Sequence, residues 1–248
     1  MALRSLLTSP SALKNQIAWD RLVIHRLLVL SFICIALTWL ATGSACGAQA
    51  NATAQTTPAA AQFGVNLIVN GDAEAGKGAS STGDDLVDIP GWTRQGNLQV
   101  MQYGASGGDL SLTDPGPKNR GMNYFAGGNS NEESSATQTI DISALASDIS
   151  KGNVSYKFSA WLGGYESQND HTYITASFED NAGKVLKVAA LGPVMAVDRH
   201  NVTELVPRST AGLVPSGSAS VVILMKMVRT DGSYNDGLAD NLSLVFHK

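Results

Sequence analysis

Val154-Ser155-Tyr156-Lys157-Phe158-Ser159-Ala160-Trp161-Leu162 places Val154, Tyr156, Phe158, Ala160 and Leu162 at alternate positions, with Ser155, Lys157 and Ser159 between them. Successive side chains of a strand point to opposite faces, so this period of two predicts a half-buried strand. Ile174, Ala176 and Phe178 alternate in the same way with Thr175, Ser177 and Glu179. Asn181-Ala182-Gly183 then turns the chain into Val185 to Leu191, which predicts a hairpin. Leu242, Leu244 and Phe246 give a closing strand. Val221 to Val228 is apolar on both faces apart from Lys226, as expected of a central strand covered on each side or one crossing a sandwich.

Further strands are expected over Leu67 to Asn70, Leu98 to Tyr103, Met122 to Ala126 and Ala136 to Ile142, and a short helix over Ser143 to Ser150. With at least eight strand candidates, no βαβ spacing and no repeat, the body reads as an all-β antiparallel sandwich. Its 25 glycines and 6% aromatic residues suit many short strands joined by tight turns. A jelly roll is the first expectation. An immunoglobulin-like sandwich is the alternative, and the Cys, Trp, Cys core signature of that fold is missing here.

Residues 1–50 read as an export signal that contributes a hydrophobic leader helix. Leu27 to Leu40 is almost wholly apolar, scattered cations precede it, and small residues follow it up to Ala48-Gln49-Ala50, which places cleavage before Asn51. Two other outcomes fit the same stretch. Gly43-Ser44-Ala45-Cys46 loosely resembles a lipobox that would leave a lipid on Cys46, and Leu22 to Ala45 is close to bilayer-spanning length as an uncleaved anchor. Residues 51–62 read as a flexible linker, and residues 63–248 as the folded domain.

Both cysteines, Cys34 and Cys46, fall within the first 50 residues, so the body has no disulfide framework, no Cys-ligated zinc and no thiolate nucleophile. Of the 17 basic residues, Arg4, Lys14, Arg21 and Arg26 lie in the leader, as does Asp20 of the 21 acidic ones. The body therefore carries 13 basic and 20 acidic side chains, net −7. Such a surface repels phosphate backbones, which argues against nucleic acid, and it suits divalent cations.

Asn66-Leu67-Ile68-Val69-Asn70-Gly71-Asp72-Ala73-Glu74, the following Gly91-Trp92 pair and the closing Ala239-Asp240-Asn241-Leu242-Ser243-Leu244 together resemble the galactose-binding-like jelly rolls. The likeness is greatest to the branch that holds carbohydrate-binding modules and plant cell-wall domains of unknown function. Ala73 stands where that family commonly has Phe. The resemblance implies a structural calcium that joins the opening turn to the last strand through Asp72, Glu74 and Asp240, with backbone carbonyls completing the shell. It also implies a glycan or polysaccharide partner.

Sugar binding requires exposed aromatic faces with amides, carboxylates or arginine nearby. The candidates are Trp161, Tyr165, Gln168, Asn169 and Asp170 in one segment and Tyr234, Asn235 and Asp236 beside Arg229 in another, with Tyr103, Asn123 and Tyr124 on the same concave sheet. Trp92 reads as a core plug, and Asn235-Asp236-Gly237 can be read as a plain turn. Signals of catalysis are thin. Gly104-Ala105-Ser106-Gly107-Gly108 satisfies GxSxG, yet Asp114-Pro115-Gly116-Pro117 downstream cannot begin the helix of a nucleophile elbow. His171, His200 and His247 have no zinc-site spacing, and adjacent Glu132 and Glu133 point in different directions. The expectation is a secreted or cell-envelope, non-catalytic binding module whose only membrane contact is through the leader. A structural or adhesive envelope protein is the alternative, and a hydrolase the third reading.

Overall fold

The computed structural model describes residues 60–248. The leader, its two cysteines and residues 51–59 of the linker lie outside them. In chain order the strands are β1 (Ala79–Ser81), β2 (Thr93–Gln95), β3 (Gln99–Ser106), β4 (Asn123–Asn129), β5 (Glu133–Asp141), β6 (Ser155–Gly164), β7 (His171–Glu179), β8 (Val185–Leu191), β9 (Glu204–Leu213), β10 (Ser220–Val228) and β11 (Tyr234–His247). Six of them form a sheet in the order β1-β3-β4-β11-β6-β9, and five form a second in the order β2-β5-β10-β7-β8. Every pairing is antiparallel except that of short β1 with β3. From β4 onward the chain changes sheet at each connection apart from the β7–β8 hairpin, which is the winding of a jelly roll.

The alternation read in the sequence decides what each face meets. Tyr156, Phe158, Ala160 and Leu162 of β6 enter the inter-sheet core with Ile174, Ala176 and Phe178 of β7, Val221 and Ile223 of β10, and Leu242, Leu244 and Phe246 of β11. Phe178 is a hub of this layer, with ring centroids 4.9 Å from Tyr156 and 6.3 Å from Phe246. Trp92 is the plug expected of it: it packs edge-on to Phe125 at 5.9 Å, and its indole N–H donates to the Asn70 carbonyl at 3.2 Å.

The opening segment and the closing strand lie side by side, though not as two paired strands. Leu67 to Asn70 is no strand; an isolated bridge between Asn66 and Val245 takes its place. Backbone bonds join the two, from the Gly64 and Leu67 amides to the Phe246 and Leu244 carbonyls and from the Leu242 amide to the Gly71 carbonyl, and the Asn66 side chain adds to them. Its Oδ1 accepts from the Leu244 amide at 2.9 Å and the Ile68 amide at 3.1 Å, while its Nδ2 donates to the Leu242 carbonyl at 3.0 Å. Gly71 then passes so close to β11 that a Cβ there would stand 2.2 Å from the Leu242 carbonyl oxygen.

Other elements depart from the reading in smaller ways. The body starts before Phe63, since Ala61 is already buried in the core. The helix expected over Ser143 to Ser150 is a 3-10 turn, Ser143–Leu145, running into one α-turn, Ala146–Ile149. Val221–Val228 is central in its sheet, but Val222, Leu224, Lys226 and Val228 on its outer face are half-exposed. Asn235-Asp236-Gly237 is no turn; it is a bulge inside β11, where the register with β4 shifts between Asn235 and Leu238. Strand β9, an edge strand with Pro207 exposed within it, was not expected at all.

A second apolar layer covers the outer face of the six-stranded sheet. Met101, Tyr103, Tyr124, Ala126, Leu205 and Leu238 pack there beneath Leu110. Leu110 belongs to the segment Gly107–Met122, which runs from β3 to β4.

Gly71→Ala forces the Leu242 carbonyl aside, and Asn66→Ala strips three backbone groups of their partner. Each is expected to lower unfolding stability by about 1–3 kcal/mol, measured by urea denaturation, whereas exposed Thr139→Ala should change it by less than about 0.5 kcal/mol.

Candidate functional site

Because β6 alternates strictly, Trp161 points away from the inter-sheet core and stands half-buried on the outer face, against the second apolar layer. Its neighbour across the sheet is Asp240 of β11. Immediately after Asp240 the register of β11 slips, and Asn241 takes a left-handed conformation with φ 51°. Such bulges re-aim side chains. Asn241 here lines a groove of about 400 Å³ together with Trp161, Asn66, Asn70, Asp72 and Asn119.

These polar residues divide into two groups. Asn66 is committed to β11, and Asn70 is held by the Pro90 carbonyl at 3.0 Å and the Ala75 amide at 2.8 Å. Asp72 holds only the Glu74 amide, at 3.4 Å, and Asn119 and Asn241 make only long contacts with each other, at 3.4 and 3.5 Å. Asp72, Asn119, Asn241 and the Trp161 ring therefore face the groove with bonding capacity in hand.

The remaining candidates lie elsewhere. Asp170, Asn235 and Tyr124 are fully buried. Asp170 accepts from the Thr230, Asp231 and Asp236 amides at 2.6, 3.0 and 2.9 Å. Asn235 ties Met227 to Gly237, and the Tyr124 hydroxyl accepts from the Asp109 and Leu110 amides. Their polar groups serve the fold, so they are not open to a ligand. Tyr234 is half-buried, with its hydroxyl accepting from Gln99 at 3.0 Å. Half-buried Tyr165 has its hydroxyl against Glu166, and the Gln168 backbone carbonyl accepts from fully buried Arg199 at 2.9 Å. Tyr165, Asp170, Tyr234 and Asn235 gather around Asp236, apart from the Trp161 groove.

The three carboxylates expected to hold calcium have other partners. Glu74 Oε1 accepts from the Met122 and Asn123 amides, both at 2.8 Å. Asp240 accepts from the Tyr103 hydroxyl at 2.7 Å and the Asn241 amide at 2.6 Å. Among the described residues no group of three or more His, Cys, Asp or Glu side chains is placed to hold a metal ion. Hydrogen bonds close the junction of opening turn and last strand. Burial pushes the Asp240 carboxyl up to about 7 and the charges of Glu74 and Asp72 add to the rise, while the Tyr103 and Asn241 hydrogen bonds oppose it.

The catalytic signals find no support in this geometry. Ser106 is exposed at the end of β3, and the chain leaves that strand in a turn, not a helix. Glu133 pairs with Lys226 at 2.8 Å on the other sheet.

No protein-family profile matches the chain, and no curated protein matches it either. Solved structures similar to it include the enzymatically active domain of tailspike protein 4 of bacteriophage CBA120, with 13% identity and a TM-score of 0.44 over 74% of this chain and 22% of that one. A family 16 carbohydrate-binding module matches with 18% identity and a TM-score of 0.43, over 73% of this chain and 99% of its own. A family 61 module solved with β-1,4-galactotriose has 13% identity and a TM-score of 0.42, again over 73% and 99%. The chain thus spans about a fifth of the tailspike domain and nearly all of either module.

A carboxyl raised in the folded state binds its proton more tightly there than in the unfolded chain, so folding gains as pH falls through the folded value. Unfolding stability is expected to rise as pH is lowered from 8 to 5, and Asp240→Asn should flatten part of that slope in urea titrations. Calcium and EDTA are expected to leave the melting temperature unchanged.

Proposed function

We propose that this protein is an exported, non-catalytic carbohydrate-binding module that holds a segment of glycan in the Trp161 groove. The observation that carries the reading is the pairing of a half-exposed indole with Asp72, Asn119 and Asn241 around one open cleft. An aromatic face covers the apolar side of a pyranose, and amides and a carboxylate take its hydroxyls. At about 400 Å³ the groove is of ligand-pocket size.

Binding without turnover fits the same lining. Asp72 is its one carboxylate, and general acid–base cleavage of a glycosidic bond takes two. The leader supports export and, where it is retained or lipidated, would attach the protein to a membrane, and the net charge of −7 on the body argues against nucleic acid. A second reading, a protein-binding envelope component, draws on a different place: edge strand β8, where Val185, Leu186 and Val188 are exposed.

Retardation in native gels cast with soluble plant and microbial polysaccharides tests the proposal. Mobility should fall with at least one polysaccharide, Trp161→Ala should abolish the effect, and Asn241→Ala should weaken it about tenfold, the loss of roughly one good hydrogen bond to a ligand. Normal mobility on every gel, alongside envelope proteins captured in a sugar-insensitive manner, would favour the β8 reading.

A further inference from the structure

The segment Gly107–Met122 lies across the outer face of the six-stranded sheet as a strap. Leu110, 1% exposed, plugs the layer that contains Tyr103 and Tyr124. Arg120 stacks on the Tyr103 ring at 5.0 Å, and the Pro115 carbonyl accepts from the Leu205 amide at 3.0 Å. The same arginine braces the strap from within, donating to the carbonyls of Ser111, Asp114 and Pro117. Arg120 thus ties Ser111, Asp114 and Pro117 of the strap together. Glycines in left-handed conformations stand at both ends, Gly104 and Gly107 at φ 79° and 72° on entry and Gly121 at φ 66° on exit.

One contact between strap and sheet differs from the others in kind. The Asp109 carboxyl on the strap meets the Asp236 carboxyl on the β11 bulge. Asp109 Oδ2 is shut off from water and has no hydrogen-bond donor, and Asp236 is 6% exposed. Two carboxylates cannot face each other there with both charges present; one proton between them turns repulsion into a hydrogen bond. We propose that the strap is a proton-dependent latch, held closed over the tyrosine face by a proton shared between Asp109 and Asp236, and released when that proton leaves.

The surroundings set the direction. Facing the pair are Asp170 from the β6–β7 connection, Asp231 from the β10–β11 connection, Tyr124 of β4, Tyr234 of β11, Tyr165 and Arg199. Arg199 is the only cation among them, and its guanidinium is already bonded to the carbonyls of Glu166, Gln168 and Val202. Burial and the neighbouring carboxylates raise both members of the pair. With the strap open, Asp109 is solvated and titrates in the ordinary carboxylate range, so closing takes up a proton near neutrality. Acid closes the latch and alkali loosens it.

The latch also bears on the proposed glycan groove, and this part rests on that reading. Asn119, one of the groove's available amides, rides on the strap. Opening removes it from the groove and uncovers Tyr103 and Tyr124, so retention of polysaccharide should weaken as pH rises.

Hydrogen exchange of the full body at pH 5.5, 7.0 and 8.5, with times scaled for the intrinsic chemical rate, tests the latch directly. Protection of the Asp109 and Leu110 amides is expected to fall at least tenfold between the extremes while β10 stays protected. Asp109→Asn and Asp236→Asn, each of which replaces the shared proton by an amide, should make strap protection independent of pH, and unchanged protection of β10 reports that each variant folds. Strap protection that does not vary with pH in the wild type, or a fall in both variants equal to that of the wild type, would overturn the proposal. Gel retardation at the same three pH values separates the two readings. A pH-dependent strap with no polysaccharide retained at any pH sinks the glycan assignment and leaves the latch standing, whereas retention with pH-independent exchange sinks the latch alone.

Discussion

The side chain of Asn66 grips β11 at the Leu242 carbonyl and the Leu244 amide and its own segment at the Ile68 amide, and so fixes the opening segment against the closing strand. Strand β11 lies between β4 and β6 and carries Asp236, Asp240 and Asn241, so its register decides which of them face outward. A slip of one residue would exchange Leu242, Leu244 and Phe246 for Ser243, Val245 and His247 and set two polar side chains into the core. Gly71 contributes the second constraint, a close approach that no Cβ would permit. Asn66 and Gly71 of the opening segment are therefore explained by backbone geometry.

Much of the sandwich was legible because half-buried strands announce themselves by alternation. Strands β6, β7 and the end of β11 fall where the apolar period places them, β8 where the turn after β7 leads, and β10 where the continuous apolar run lies. Strand β9 escaped because it is an edge: below Leu205 its side chains are half-exposed or exposed on both faces, and Pro207 and Gly212 interrupt it. Strands β1 and β2 are three residues each, too short for any period to show. Leu67 to Asn70 misled for the opposite reason: Leu67 and Ile68 fill core space, while the side chains of Asn66 and Gln138 bind the backbone of Ile68 and Val69 in place of a ladder.

The site was less legible than the fold. Trp161 could be found, since the strand's own period turns an aromatic residue outward. Asp170, Asn235 and Tyr124 could not be told from ligand-binding groups, because sequence displays a polar side chain without the partner that satisfies it; their partners lie on β10, the β10–β11 connection, β11 and the strap. Asn119 sits in an aperiodic Pro- and Gly-rich stretch, and Asn241 owes its position to a bulge that only pairing with β6 reveals. Asp109 was invisible for the same reason: its counterpart, Asp236, is 127 positions away along the chain.

Pro207 in β9 bears on how such molecules behave when gathered at high density. The rim of a sheet is open to a strand from another molecule, and a residue with no amide hydrogen interrupts the ladder such a strand would need. Many copies crowded along one polymer would thus stay separate bodies on this side, each keeping its own outer face available instead of fusing with its neighbour into a continuous fibre.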